Sequence, residues 1–381
     1  MNLRDRLRAI DAKGPEQGRA PSASRYTDCA HRAEYRAAEE FPGAWDLERE
    51  TLCLMSDQEL PDPFDPRKIL YLDTETTGLG GSGTVAFLVG MGYLTDKEFE
   101  VHQFLMRDYP EEPWLLKHVA AGLNKFEVIC TFNGSTFDLP LLESRLLMNR
   151  MDRSCLDLPH LDLLHMCRRL WKLRLGRCNL GRLEQVILGA PRTDDLPGSE
   201  VPQRYFSYLR TGQASLLDDV LKHNAQDIAS LCVLLNHMAD MYLHPEKIRF
   251  SEDAYSMGRA LEKLQKTERS RHCYQLARKG RMGPEASEAL ARSYRRSGER
   301  QEAAAVWQEM MDRRQGGVTP YVEMAKYLEH VKKDIPAALK LTEKAIALLS
   351  ETPLLGAGTV QETEKELQYR YQRLRRKMKE Q

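Results

Sequence analysis

The sequence predicts an α/β protein, a mixed sheet covered by helices, followed by an all-α repeat domain. Three observations carry this expectation. Short apolar runs of strand length follow one another from Ile69, helical spacings alternate with them from Trp114, and beyond about residue 246 small residues recur at a fixed interval in a strand-free stretch.

Residues 1–62 read as an irregular N-terminal extension. Gly14 to Ser24 has linker composition, and the three prolines between Glu59 and Pro66 end any preceding element. Residues 63–245 form the expected α/β domain. Ile69 to Asp73 is a short apolar run closing on polar residues, Thr84 to Leu94 a second strand, Phe99 to Met106 a third and Glu127 to Phe132 a fourth. Trp114 to Leu123, Leu139 to Met148, Asn179 to Leu188 and Ser215 to Met241 have helical spacing. Three antiparallel-looking strands followed by helix, strand and helix argue for a mixed sheet. In residues 246–350 the positions Ala291, Ala303, Ala304 and Trp307 are matched 34 residues later by Ala325, Ala337, Ala338 and Leu341, with Gly298 at a turn. This period resembles tetratricopeptide repeats. Tyr255 to Gly280 reads as a degenerate unit, and residues 351–381 as a C-terminal helix.

Composition narrows the class. Apolar residues make up 42% and charged residues 29% of the chain, with no apolar run near the eighteen or so residues that span a bilayer. Met1 opens a charged amphipathic segment (Leu3, Leu7, Ile10) unlike a secretory signal, so a cytoplasmic protein without membrane partners is expected. The eight cysteines form no C-x-x-C pair and read as reduced thiols. Formal net charge is zero, so a nucleic-acid partner requires a local basic patch. Met166 to Arg182 supplies one: Arg168, Arg169, Lys172, Arg174, Arg177 and Arg182 with Trp171 and no acid. It reads either as a phosphate grip with a stacking platform, in which Arg174 and Arg177 bind single-stranded nucleic acid, or as a solvated helix face with a partly buried Trp.

Three short motifs carry the chemistry. In Asp73-Thr74-Glu75-Thr76-Thr77-Gly78, after the first strand, Asp73 and Glu75 share a face. Two carboxylates so placed repel unless a cation lies between them, and a hard divalent ion such as Mg²⁺ or Mn²⁺ takes oxygen ligands; the alternative is a pair of solvated acids. Asp138, in Asn133-Gly134-Ser135-Thr136-Phe137-Asp138, alone reads as a helix N-cap. His223 and Asp227 stand one helical turn apart, facing a common site or forming a surface pair. Asp162 reads as a strand-end cap.

Taken together and in order, D-x-E, N-…-F-D and H-N-x-x-D resemble the motifs of the DEDD (DnaQ-like) 3′→5′ exonuclease superfamily, over roughly residues 66–243, and with a C-terminal repeat domain the arrangement looks like the bacterial YprB-type group. The resemblance implies an RNase H-like fold and hydrolysis at nucleic-acid 3′ ends with two Mg²⁺ or Mn²⁺ ions. It implies that Asp73, Glu75, Asp138 and Asp227 hold metal, that His223 activates or orients water, that backbone groups at Thr74, Thr76 and Thr77 seat the terminal nucleotide, and that Asn133 and Phe137 line the same cleft, Phe137 stacking on a base. One departure stands out. Histidine precedes the last aspartate by four residues, the spacing of the family's tyrosine branch, where its histidine branch has five; one residue turns a helical side chain by about 100°. Two other functions fit the same features: a silent nucleic-acid-binding scaffold that engages a protein partner through its repeats, and a metal-dependent endonuclease.

Overall fold

The structure is a computed structural model, and it describes residues 28–78, 83–192, 196–351 and 357–380. The linker expected at Gly14 to Ser24 and the amphipathic segment at Met1 lie outside the described residues. The chain divides into two compact units, one built from the described parts of Met1–Glu48, Glu59–Leu163 and Ala190–Asn236, the other from those of Arg49–Gln58, Leu164–Gly189 and His237–Gln381.

The first unit is built on a six-stranded mixed sheet: β1 (Ala30–Ala37), β2 (Ile69–Thr76), β3 (Ala86–Leu94), β4 (Glu98–Leu105), β5 (Val128–Thr131) and β6 (His160–Asp162), in the order β1-β4-β3-β2-β5-β6. The pairs β1–β4, β4–β3 and β3–β2 are antiparallel, whereas β2–β5 and β5–β6 are parallel. This agrees with the mixed sheet and the RNase H-like fold expected from the sequence. β2 is central, and its apolar half, Ile69 to Leu72, is fully buried. Helices Glu112–Leu123 and Asp138–Met148 set Leu116, Val119, Leu142 and Leu146 into a core with Leu70, Leu72, Phe87 and Ile129. Tyr205, on helix Val201–Thr211, stacks on Phe87 at 4.0 Å between ring centroids and donates its hydroxyl to the Met106 carbonyl at 3.0 Å.

The second unit is helical. Ser251–Lys263 packs with Thr267–Ala277, Gly283–Arg296 with Arg300–Asp312, and Thr319–Tyr327 with Ile335–Glu351; Ala357–Lys379 follows. Ala291 and Ala303 are fully buried in one cluster with Trp307, and Ala325 and Ala338, 34 residues after Ala291 and Ala304, are fully buried too. Among the described residues no helix is long and apolar enough to cross a membrane.

Several expectations need correction. The segment read as irregular contains strand β1 and helix Arg49–Ser56. β1 escaped notice because it is an edge strand whose charged residues leave no clean alternation of buried and exposed positions. β6 is only three residues long, and helix Leu163–Leu175 was one of two readings of the basic stretch. By contacts, residues 164–189 and 237–245 of the expected domain group with the helical unit, as do residues 49–58 of the extension. There Arg169 donates to the Met55 carbonyl at 2.8 Å, and the indole of Trp171, 0% exposed, lies 6.2 Å from the His237 ring. Trp171 is therefore core, not a stacking platform.

Candidate active site

The site grows from the end of β2. After its buried apolar half, the strand places half-buried Asp73 and Glu75 between buried Thr74 and Thr76. A register irregularity falls at Glu75 and Thr76, a local device that bends a strand and re-aims its side chains. Asp73 pairs across the sheet with Gly90. A Cβ at Gly90 would lie 2.3 Å from the Asn224 amide oxygen, and one at Gly92 2.3 Å from the Ile228 side chain. Bare backbone at these two positions lets helix Asp218–Leu243 lie directly on the sheet. Asn224, fully buried, then donates its amide to the Asp73 carboxylate at 2.8 Å, and Gln103 holds that amide from the other side, donating to Asn224 Oδ1 at 2.8 Å and to the Leu221 carbonyl at 2.8 Å.

The loop from β5 delivers the third acid. Asp162, at the end of β6, accepts the backbone N–H groups of Asn133 at 2.8 Å and Ser135 at 3.1 Å, which pins the loop as a strand-end cap would. Asn133 adopts φ 69°, a left-handed conformation that asparagine tolerates better than most residues. Asp138 is not the N-cap of its helix but its first residue, and its buried carboxylate accepts the Thr74 hydroxyl at 2.6 Å.

The long helix brings the fourth acid and the histidine. His223 Nε2 lies 4.0 Å from Glu75 and 3.6 Å from Asp227. Arg192 forms an ion pair with Asp227 and contacts His223 Nδ1 at 3.2 Å. A guanidinium only donates, so this contact makes Nδ1 an acceptor and leaves the imidazole proton on Nε2, toward the two carboxylates.

Electrostatics confirm the clustering. Burial pushes the Asp73 carboxyl well above the usual carboxylate range, and Asp227, Glu75 and Asp138 push it further, against the opposing Asn224 hydrogen bond. Burial raises Asp138 to about 6 despite the Thr74 hydroxyl. Four acids from three separate stretches thus share one electrostatic environment. An all-oxygen, like-charged donor set of this kind fits a hard divalent cation. The acids stand wider than a single-ion cage: among the described residues, the three-ligand group whose atoms all lie within 4.8 Å of one another is Asp28, Cys29 and His118.

The threonine hydroxyls are engaged within the protein, whereas the expectation for this stretch concerns its backbone groups. The Thr74 hydroxyl is taken by Asp138, that of Thr76 donates to the Gly78 carbonyl at 2.7 Å, and that of Thr77 accepts the Val85 N–H at 3.0 Å, so these threonines shape the turn. Asn133 and Phe137 are half-buried beside Asp138, with Asn133 Oδ1 accepting the Thr136 hydroxyl at 2.9 Å. Arg174 is corrected: Asp253 holds its guanidinium at 2.7 Å and the Phe250 ring lies 4.1 Å beneath it, so it is spent inside the helical unit. Arg177 is exposed in that unit, whereas the acids belong to the sheet unit. Arg192, Asn224 and Gln103 went unrecognised in the sequence. Only Asn224 carried a signal, as the residue after His223 in H-N-x-x-D.

The model of the RNase H superfamily matches residues 70–239. The uncharacterized protein YprB of Bacillus subtilis (strain 168) is 32% identical over 326 residues, spanning 82% of this chain and 76% of its own. A family B DNA polymerase from the hyperthermophilic archaeon Pyrobaculum calidifontis aligns over 53% of this chain and 30% of its own, at 13% identity and a TM-score of 0.38. The chain therefore belongs to the family of Bacillus subtilis YprB and carries a nuclease-type domain of the RNase H superfamily.

Proposed function

We propose that this protein is a divalent-metal-dependent 3′→5′ exonuclease of DEDD type, acting on single-stranded 3′ ends of nucleic acid. The observation that carries the reading is the Asp73 carboxylate, hydrogen-bonded to buried Asn224 and raised by its burial and by nearby Asp227, Glu75 and Asp138. Asp73, Glu75, Asp138 and Asp227 would hold two Mg²⁺ or Mn²⁺ ions. Such ions, when bound, activate water and stabilise the leaving 3′ oxygen. The chain's own residues do the rest. Asn224 and Gln103 fix Asp73, and Thr74 fixes Asp138, so that the oxygens need no reorganisation on binding. His223, with its proton on Nε2, orients water; if Arg192 turns from Nδ1 to a substrate phosphate, the other tautomer becomes available and Nε2 can accept the proton. Asn133 and Phe137 line the same end of the sheet, where a terminal base would sit. The helical unit is a tetratricopeptide-like domain that engages a protein partner.

End-labelled single- and double-stranded DNA and RNA, with Mg²⁺ and Mn²⁺ in parallel, test the activity. Wild type should release mononucleotides from free 3′ ends and leave circular strands intact, and Asp73→Ala should release none. Cleaved circles would make it an endonuclease. A second reading rests on Arg192: a cation already paired with Asp227 suits a silent scaffold that binds without cutting. Such a scaffold would gain no thermal stability from either metal.

A further inference from the structure

Five cationic side chains from three stretches of the helical unit line one cavity of about 690 Å³: Arg168, Arg169, Arg259, Lys263 and Arg296. Two acids share it, Asp57 and Glu262. Glu262 is already engaged, by an ion pair with Arg296 and by the Tyr274 hydroxyl at 2.7 Å. Arg169 is engaged by the Met55 carbonyl. Arg168, Arg259 and Lys263 are exposed, and no ion pair or hydrogen bond links any of them to a described residue.

Their spacing adds to this. Arg259 and Lys263 stand one turn apart on one helical face, and so do Arg168 and the exposed Lys172 on another helix. Like charges at i and i+4 destabilise a helix by a few tenths of a kcal/mol, so local stability does not account for them. A concave wall of unpaired cations concentrates positive potential and favours anions. Five lining cations exceed what one phosphate can neutralise, and exposed Lys172, Arg177 and Arg182 follow Arg168 along the same stretch of chain. A ligand carrying successive phosphates along its length fits that distribution.

We propose that this cavity binds the sugar–phosphate backbone of a nucleic-acid strand, a binding site additional to the carboxylate centre. The assignment rests on the nuclease reading for its choice of ligand. Full-length protein in EDTA, titrated against a 5′-fluorescein-labelled oligothymidylate of twenty nucleotides and followed by anisotropy, tests it without catalysis. The triple variant Arg168→Glu, Arg259→Glu, Lys263→Glu should bind at least about tenfold more weakly at low salt. Its log affinity against log salt should be shallower by about 2, since each phosphate contact on a single strand contributes about 0.7. Lys263→Glu alone, at an exposed position that folding tolerates, should bind about threefold more weakly. Equal affinity and slope in all three proteins overturn the proposal, as does a triple variant that loses pyrophosphate binding while keeping the oligonucleotide. A wild type that binds through these cations yet degrades no end refutes the nuclease reading alone. A wild type that degrades ends while the triple variant binds as it does refutes this inference alone.

Discussion

The end of β2 and the helical unit treat buried charge in opposite ways. In the helical unit buried charges are matched. Asp253 meets Arg174, Arg271 meets Glu268 and Glu299, and Glu329, 1% exposed, collects Arg370, Arg373 and Lys377. In the sheet unit four acids converge on one environment, and Arg192 is the cation paired with one of them. Matched charges are what a fold needs when it buries ions for structure. Like charges gathered around one buried carboxyl destabilise the fold that holds them, and sites that do chemistry tolerate that cost. The contrast singles out the end of β2 as the candidate for chemistry without reference to any motif.

The contrast can be broken from either side. The largest effect is expected from Asp73→Ala, which should lower nucleolytic turnover at least about a thousandfold while the metal-free protein melts no earlier than wild type, because a repelled carboxylate is gone. Steady-state rates on an end-labelled strand, with melting curves in EDTA, check both parts. Asn224→Leu should lower activity about ten- to a hundredfold, the usual loss when a group that orients a metal ligand is removed, and should weaken Mn²⁺ binding by a similar factor.

The pH dependence sharpens the same point. Asp138 titrates at about 6 in the fold against an ordinary value of 3.8, and Asp73 is raised as well. A raised carboxyl stabilises the fold while it holds its proton, and that stability is lost as pH rises through the folded value. For Asp138 the loss is on the order of 3 kcal/mol between about pH 4 and pH 6. Metal-free protein should therefore melt earlier at pH 7.5 than at pH 5. Mn²⁺ at a hundredfold over its Kd should restore on the order of 2 to 3 kcal/mol at pH 7.5 and progressively less below pH 6, where protons compete. Scanning calorimetry with and without Mn²⁺ across this range reads both trends. In the helical unit, Glu329→Gln should lower stability by about 1 to 3 kcal/mol, because three cations lose their shared acid, and urea titration measures it.

How far the sequence revealed this follows from physics at particular positions. Central strand β2 was legible because both faces of Ile69 to Leu72 are buried and the run is continuously apolar. Edge strand β1 and three-residue β6 were not, since neither has a period to read. The four acids could be listed because their motifs, in order, resemble those of a known superfamily; spacing alone paired only Asp73 with Glu75 and His223 with Asp227. Their supports could not. Gly90 matters only because Asn224 lies over it, and Arg192 stands 31 residues before His223 with no spacing rule to link them. Arg174 shows the converse error: a basic residue in a basic run looked available until Asp253, 79 residues away, was found holding it.

The central claim is that Asp73, Glu75, Asp138 and Asp227 share divalent cations. Calorimetric titration of Mn²⁺ into wild type, Asp73→Ala, Asp227→Ala and His118→Ala at pH 7.5 tests it most directly. Saturable binding that is lost in the two aspartate variants and kept in His118→Ala is the predicted result. Binding that survives both aspartate substitutions, or that disappears with His118 instead, would contradict it.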